Sequence, residues 1–335
     1  MTNLPLSILD RSHLSAGSDQ SAALQRTIER AQHAEQLGFK RFWVSEHHGV
    51  PGVAGAAPAV FIAALAARTQ RIRLGSGGVM IPNHQPLVIA EQFGTLALLH
   101  PGRIDLGIGR SLGFTRPVRR ALRRDTYDLD DLRNDLFELR AYLEGTAEIT
   151  AYPGRDARRA ADLDLFLLAS SSSAGIAAQA GLPLVLGGQT LHDEKSIAVV
   201  EGYRDAFRPS QFALEPSIIL NVTALVADTE ADARDLAISE AWAHVSSKIQ
   251  GEFPPLEDPA RIRTLELTSR QQSRLETIAA GTLTGTVDRV ATTIAQLAKQ
   301  TDAREVLLSG SFFDRDAALH SDALLARAFG RAPEL

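Results

Sequence analysis

The stretch from Ile72 to Arg110 constrains the fold of this chain more than any other. It begins with an apolar run, IRLGSGGVMI, which has no helical periodicity and is typical of a strand buried on both faces. The turn PNHQP separates this run from PLVIAEQFGTLALLH, whose apolar residues recur at helical spacing until Pro101 and Gly102 stop the helix. RIDLGIGR then returns as a second apolar strand. A strand, helix and strand of this length form a parallel crossover, so the sequence predicts an α/β protein.

The same alternation of strand and helix patterns runs through the rest of the chain. The predicted strands are Leu4–Leu9, Arg41–Ser45, Ile72–Ile81, Arg103–Arg110, Asp164–Ala169, Leu184–Leu186, Ser217–Ala227 and Glu305–Ser309. Eight strands that alternate with helices predict a (β/α)₈ TIM barrel. The alternative is a doubly wound sheet, but no G-x-G-x-x-G phosphate fingerprint follows the first strand.

We expect residues 1–335 to form a single barrel domain. Two of its connections are much longer than the others. Residues 111–162 follow the fourth strand, and residues 249–283, which are polar and predicted to be irregular, follow the seventh. In a barrel both would lie over the catalytic face, where long connections often act as lids.

Composition excludes several classes of function. The chain has 335 residues, a formal net charge of −5 and no cysteine. The charge gives no support for binding to nucleic acid or membranes. The absence of cysteine excludes disulfides, Cys-ligated zinc, iron–sulfur clusters and a cysteine nucleophile. Because the sequence also lacks a secretory signal pattern and an apolar run of membrane-spanning length, we expect a cytoplasmic protein.

Glycines interrupt both strands of the Ile72–Arg110 unit. The first strand contains Gly75, Gly77 and Gly78, and the second ends in Gly107-Ile108-Gly109-Arg110. Glycine lets a flat ligand approach the backbone closely, and ligands of α/β folds bind at the carboxyl ends of strands. An arginine there suits a phosphate, because its planar fork of donors never loses its charge. We therefore predict phosphate binding by Arg110, with a surface arginine after a tight turn as the alternative.

A run of serines follows the fifth predicted strand. Ser170, Ser171, Ser172 and Ser173 come directly before a predicted helix. Hydroxyl groups and free N–H groups at the start of a helix bind anions, above all phosphate. Ordinary helix capping is the alternative. Because Arg110 ends the neighbouring strand, the sequence favours a phosphate cradle built from both.

Glu46, His47 and His48 end the second predicted strand, at the catalytic face of a barrel. Neighbouring side chains of a strand point to opposite sides, which argues against a site with two histidine ligands. The chain also lacks an H-E-x-x-H helix, so we predict no metal site. A catalytic or ligand-contacting histidine is one interpretation of this motif, and a structural histidine is the other.

Several of these motifs together resemble the bacterial luciferase-like flavin monooxygenase family, in its non-luminescent single-subunit branch. The motifs are FWVSEHHG, GSGGVMIPNHQPLVIAEQF, GRIDLGIGR, the serine turn followed by GIAAQAGLP, and TGTVDRV, in the same order over nearly the whole chain. The resemblance implies a (β/α)₈ barrel that uses reduced FMN and molecular oxygen, or in some branches the deazaflavin F420. Gly109 stands where the luciferase α subunit has cysteine, so light emission is not implied.

The resemblance also implies roles for individual residues. A cis peptide bond that lies against the flavin ring is expected at Gly77–Gly78, supported by Ser76. Arg110 matches the arginine that binds the flavin phosphate, and Ser170–Ser173 match the segment that closes around this phosphate. His47 matches the active-site histidine, and its two neighbours would support it. By the same analogy we expect a homodimer.

The leading hypothesis is a flavin-dependent monooxygenase that oxidises a small organic substrate through a C4a-(hydro)peroxyflavin. A separate NAD(P)H:flavin reductase would supply FMNH₂, because the chain has no dinucleotide fingerprint. The second hypothesis is an F420-dependent dehydrogenase or reductase on the same barrel, favoured by basic residues near Arg110. The candidates for these are Arg116, Arg119, Arg120, Arg123 and Arg124. The third hypothesis is a non-catalytic flavin-binding protein, which would not need His47. The organic substrate is left open.

Overall fold

Eight parallel strands close into a barrel in the computed structural model, which describes residues 4–156, 162–187 and 194–330. The strands of the described chain are β1 (Leu6–Asp10), β2 (Arg41–Val44), β3 (Arg73–Ser76), β4 (Val79–Met80), β5 (Ile104–Gly109), β6 (Asp164–Ala169), β7 (Leu184–Gly187), β8 (Ile218–Val222), β9 (Ala224–Val226), β10 (Leu283–Gly285) and β11 (Glu305–Leu308). The ring runs β1, β2, β3, β5, β6, β7, β8, β11, and β11 pairs with β1 to close it. The predicted (β/α)₈ barrel is confirmed.

Helices connect the strands and surround the barrel. Within the described ranges they are α1 (Gln20–Gln36), α2 (Pro58–Ala66), α3 (Pro86–Leu99), α4 (Arg116–Ala121), α5 (Leu129–Glu144), α6 (Ala174–Gln179), α7 (Glu194–Asp205), α8 (Glu230–Gln250), α9 (Pro259–Ile262), α10 (Ser269–Ala280), α11 (Val287–Thr301) and α12 (Arg315–Ala328). Local sequence sets several of their ends. Asp128 forms a capping box with Asp131 at the start of α5, and Gly145 ends that helix in the left-handed conformation.

The interior of the barrel is stacked in three layers. A middle layer of large apolar side chains consists of Leu9, Trp43, Phe166, Val185, Ile219 and Leu307. Side chains alternate along a strand, so the same strands point inward again two residues before and two residues after this layer. The lower layer, toward the amino ends of the strands, is charged. The upper layer, toward the carboxyl ends, includes Ser45, Gly187, Asn221 and Ser309, which are small or uncharged.

The predicted seventh strand is divided in the structure. Residues 217–227 form β8 and β9, which separate at Thr223. β8 stays in the barrel between β7 and β11, whereas β9 leaves it and pairs in parallel with β10. Continuous hydrophobicity marks both strands alike, and for this reason the sequence pattern did not separate them.

The expectation of an irregular segment over residues 249–283 was wrong. This segment contains α9 and α10, and α10 begins at a capping box between Thr268 and Gln271. Leu275 of α10 packs with Val245 and other apolar residues of α8 in a small separate core. The polar, exposed faces of these short helices hid the few apolar residues that hold them in place. None of the helices in the described ranges combines the length and apolar character needed to cross a membrane.

Candidate functional site

The peptide bond between Gly77 and Gly78 is cis, as the family resemblance implied. It lies between β3 and β4, where the strand reaches the mouth of the barrel. A β-carbon on Gly78 would come within 2.7 Å of the Gly109 nitrogen, so no side chain fits at that position. Ser76 is fully buried; its hydroxyl donates to the Gly107 carbonyl (2.8 Å) and accepts from the Gly107 N–H (3.1 Å). Ser76 therefore ties this bend to β5.

Arg110 follows β5 and points toward the serine turn after β6. Its Nη2 lies 3.1 Å from the Ser172 hydroxyl and 3.5 Å from that of Ser170, and these two hydroxyls are 3.0 Å apart. Arg110 has no carboxylate partner among the described residues. Ser173 is buried and accepts a hydrogen bond from the Ser170 N–H, whereas Ser171 is exposed. The structure thus brings together one uncompensated guanidinium and two hydroxyls, which is a donor set suited to an anion.

His47 lies just beyond β2, in the same mouth. Its Nδ1 is 2.9 Å from the Ser45 hydroxyl, and its ring stacks on Phe114 with the centroids 5.8 Å apart. Burial lowers the pKa of His47 to about 4, and the positive charge of Arg11 adds to this effect. His47 is therefore a neutral imidazole at pH 7, oriented by a hydroxyl on one side and a phenyl ring on the other.

Glu46 is buried beneath His47 and gathers four donors. Its Oε1 is 2.7 Å from His48 Nε2, 2.9 Å from His84 Nε2 and 3.1 Å from Asn83 Nδ2, and its Oε2 accepts from the Met80 N–H. Burial would raise the pKa of Glu46, but the bonds from both histidines lower it to about 2. Glu46 thus fastens the loop after β2 to the segment after β4.

The ligand atoms of Glu46, His48 and His84 lie within 4.8 Å of one another, close enough in principle for a metal ion. Both imidazoles direct Nε2 at the same carboxylate oxygen, and the Asn83 amide donates to that oxygen too. These donors satisfy the Glu46 carboxylate without an ion. The absence of a metal stays a prediction.

A cavity of about 620 Å³ opens beside His47 and extends under α8. This volume is in the range of sites for small organic ligands. Apolar side chains form much of its wall, among them Val50, Phe114, Val222, Phe253 and Leu283. The residues after α8 and after α10 supply one side of it, so the long connection after the seventh barrel strand does lie over the barrel mouth.

The charges in this cavity are compensated or confined to its rim. Arg11 Nη1 is 2.9 Å from Glu240 Oε1, and Arg11 with His13 and His244 holds the pKa of Glu240 at about 2 although burial opposes it. Burial lowers the pKa of His13 to about 4, so this second imidazole is also neutral at pH 7. Its ring stacks on Phe253 with the centroids 5.6 Å apart. Lys248 and Glu252 are exposed.

Comparison with known proteins identifies the family to which this architecture belongs. Residues 4–304 match the model of the luciferase-like monooxygenases. A luciferase-like monooxygenase of Escherichia coli strain K12 is 35% identical over 323 residues, which cover 95% of each chain. The chain belongs to the luciferase-like monooxygenase family.

Solved structures of other proteins agree with this assignment. Apo-MsnO8 is 34% identical and superposes with a TM-score of 0.86 over 99% of both chains. The oxygenating constituent of 3,6-diketocamphane monooxygenase from Pseudomonas putida, in complex with FMN, is 18% identical with a TM-score of 0.71 over 99% of this chain and 100% of its own. An F420-dependent secondary alcohol dehydrogenase, in complex with an F420–acetone adduct, is 17% identical with a TM-score of 0.68 over 98% and 99%. The last two show the shared fold alone.

Sequence reasoning missed the cavity side of this luciferase-like site. Arg11 and His13 follow β1, whereas Glu240 belongs to α8, and only the folded barrel brings them together. Asn221 did carry a signal, since it is an amide within the largely apolar run SIILNVTALVA, near the end of β8. A polar side chain at the carboxyl end of an otherwise apolar barrel strand indicates a site residue.

Proposed function

We propose that this protein is a flavin-dependent monooxygenase, which uses reduced FMN and molecular oxygen to oxidise a small organic substrate. The observation that carries the proposal is Arg110. Its guanidinium has no carboxylate partner in the described ranges, faces two serine hydroxyls and stands at the same barrel mouth as the cis Gly77–Gly78 bond. An uncompensated cation beside bare backbone fits a phosphate joined to a flat ring.

The residues present fit FMN in two places. Arg110 would hold the phosphate together with the hydroxyls of Ser170 and Ser172. The isoalloxazine ring would lie against the cis Gly77–Gly78 bond, where the family resemblance places it. When bound, reduced FMN supplies the electrons that activate oxygen, and the protein supplies position and shelter from water.

His47 is the proposed catalytic residue. It is neutral at pH 7, and the Ser45 hydroxyl fixes one ring nitrogen, so the other can accept or return a proton at the reacting atoms. Phe114 covers one face of its ring, and Phe253 lines the cavity beside it. These apolar groups would limit the access of water to the reaction.

Two partners and a lid follow from the family analogy as proposals. A separate NAD(P)H:flavin reductase would deliver the reduced flavin. A second copy of the chain would form a homodimer. The segment 249–283 would act as a lid, since it contains Phe253 and Leu283, which line the cavity.

A second candidate is an F420-dependent dehydrogenase or reductase. The observation that favours it is the arginine-rich segment that begins at α4, shortly after Arg110. Arg116, Arg119, Arg120, Arg123 and Arg124 form no ion pair within the described residues. Such a group of cations would suit the long anionic tail of F420. Hydride transfer would then replace the activation of oxygen.

Anaerobic titration separates these candidates. Wild-type protein and Arg110→Ala would each be titrated with FMNH₂ and with F420H₂, and the complexes would then be mixed with oxygen. The proposal expects FMNH₂ binding that the variant weakens, followed by a transient flavin–oxygen absorbance. A preference for F420H₂ without an oxygen adduct would establish the second candidate. Binding of FMNH₂ with no reaction that depends on His47 would favour a non-catalytic flavin-binding protein.

A further inference from the structure

The side chain of Asn221 has no hydrogen-bond partner in the part of the chain that the structure describes. Asn221 is two residues beyond Ile219 on β8 and therefore points, like Ile219, into the barrel. Its carboxamide makes no hydrogen bond within the described residues, although its Oδ1 is buried. A buried acceptor left without a donor costs free energy and calls for an explanation. Asn221 also lines the 620 Å³ cavity, so a rotation of the carboxamide that turns Oδ1 toward the cavity would let a ligand supply that donor.

The order of the strands places Asn221 on the far wall from the proposed flavin. Four steps around the ring of eight separate β8 from β3, so the two strands face each other across the barrel. Gly77–Gly78, where the ring is proposed to lie, follows β3 directly. The cavity beside Asn221 therefore lies where a substrate would face the flavin. Thr223, beyond Asn221, has its hydroxyl 3.3 Å from that of Ser309, which leaves the amide as the free group on this wall.

The inner wall of the cavity offers no uncompensated charge in its described part. Glu240 neutralises Arg11, and His13 and His47 are neutral at pH 7 because of their burial. Lys248 and Glu252 are exposed at the rim. A charged substrate would lose its hydration in this cavity without gaining a partner, which is costly.

We propose that Asn221 determines substrate specificity, by accepting a hydrogen bond from the O–H or N–H group of an uncharged, largely apolar organic substrate. This inference rests on the proposed function, because it places the substrate opposite the flavin. The amide oxygen would orient the molecule, while Val50, Val222 and Phe253 surround its apolar part.

Three probes of equal chain length test this inference on the flavin-free, full-length protein. Octanol has an O–H donor, whereas its isomer heptyl methyl ether has none. Octanoate carries a negative charge, unlike the other two probes. Isothermal titration calorimetry should show octanol binding about tenfold more tightly than the ether, because the ether leaves the buried acceptor unpaired. Octanoate should bind most weakly. Equal binding of the two isomers, or tightest binding of octanoate, would overturn the proposal.

Substitutions test whether Asn221 causes the preference for octanol over the ether. Asn221→Leu should abolish the preference for octanol, whereas Asn221→Asp retains an oxygen acceptor and should keep it even if the leucine variant folds poorly. Ser247→Ala is the matched control, because the Ser247 hydroxyl also lines the cavity but already donates to the His244 carbonyl. A preference that survives in a folded Asn221→Leu protein would contradict the proposal.

The flavin is the competing source of the donor, and it is tested separately. Weaker FMNH₂ binding by Asn221→Leu, with the probe preference unchanged, would assign the amide to the flavin and overturn the proposal. Because the probes bind without flavin, a wild-type protein that shows the preference but does not bind FMNH₂ would refute the proposed function and leave an alcohol-selective cavity.

Discussion

The two ends of the barrel interior solve the problem of burying polar groups in opposite ways. In the lower layer Arg41 Nη1 is 2.8 Å from Asp105 Oδ2 and Arg41 Nε is 2.9 Å from Glu305 Oε1. Arg73 Nη2 is 2.6 Å from Asp105 Oδ1, and the Trp43 indole N–H also donates to Asp105. Every charge in this group has an opposite charge beside it.

The upper layer and the mouth above it contain polar groups that lack such partners. Among the described residues Arg110 faces hydroxyls instead of carboxylates and the Asn221 oxygen is unpaired, while His47 is held neutral. An unpaired buried polar group costs stability unless something else satisfies it. The comparison teaches that the chain itself pairs the charges of the lower layer, whereas on the proposed function ligands would complete the upper layer.

The largest expected effect comes from breaking the lower layer. Burial alone would raise the pKa of Asp105, but Arg41 and Arg73 hold it below its ordinary value. Asp105→Asn would remove the carboxylate that Arg41 and Arg73 share, leaving Glu305 for Arg41 and Asp164 for Arg73, and should lower the free energy of unfolding by about 3–5 kcal/mol. Denaturant unfolding measures this loss. Asp130→Asn, which removes the exposed Asp130–Arg133 pair, is the control and should change stability by less than about 0.5 kcal/mol.

At the mouth, removal of a charge should affect binding instead of folding. Arg110→Ala should weaken FMNH₂ binding by about 10- to 100-fold, because charge-assisted hydrogen bonds to a phosphate are lost. Its free energy of unfolding should stay within about 0.5 kcal/mol of wild type, since no ion pair is broken within the described chain. Anaerobic titration measures the FMNH₂ affinity, and denaturant unfolding measures the free energy of unfolding. A large loss of stability with unchanged affinity would make Arg110 a structural residue.

Lowering the pH should test whether His47, at the mouth of the barrel, is a neutral imidazole. The pKa of His47 is lowered to about 4 in the folded protein, so between pH 6.5 and pH 4 the unfolded chain binds a proton that the folded one does not. Stability should therefore fall as the pH falls through this window. His47→Gln should remove about 3 kcal/mol of that fall and leave the profile above pH 7 unchanged. Identical profiles for the two proteins would show that the folded His47 is not held neutral.

The smallest effect is expected for the serine turn. Ser172→Ala removes the hydroxyl that lies 3.1 Å from Arg110 and should weaken FMNH₂ binding by about three- to tenfold, since one neutral donor contributes about 1 kcal/mol. The same titration measures it. A loss of FMNH₂ affinity larger than that of Arg110→Ala would show that the serines, and not the arginine, make the main contacts with the phosphate.

How much of the fold and of the site could be predicted from the sequence depends on how far apart the contacting residues lie along the chain. The barrel follows from local patterns, since the segment Ile72–Arg110 contains both ends of one crossover, whereas the cis bond at Gly77–Gly78 was expected only from the family resemblance. The lower layer was not predicted, because Arg41 and Glu305 are 264 residues apart and each looks like an ordinary charge near the start of a strand. The cavity was missed for the same reason.

A crystal structure of the protein with FMN tests the contrast between the two layers most directly. We expect the phosphate within hydrogen-bonding distance of the Arg110 guanidinium and of the hydroxyls of Ser170 and Ser172, and the ring against Gly77–Gly78. The ion pairs of Asp105 and Glu305 should be unchanged. An FMN phosphate held elsewhere, with Arg110 still facing only the serines, would contradict the account.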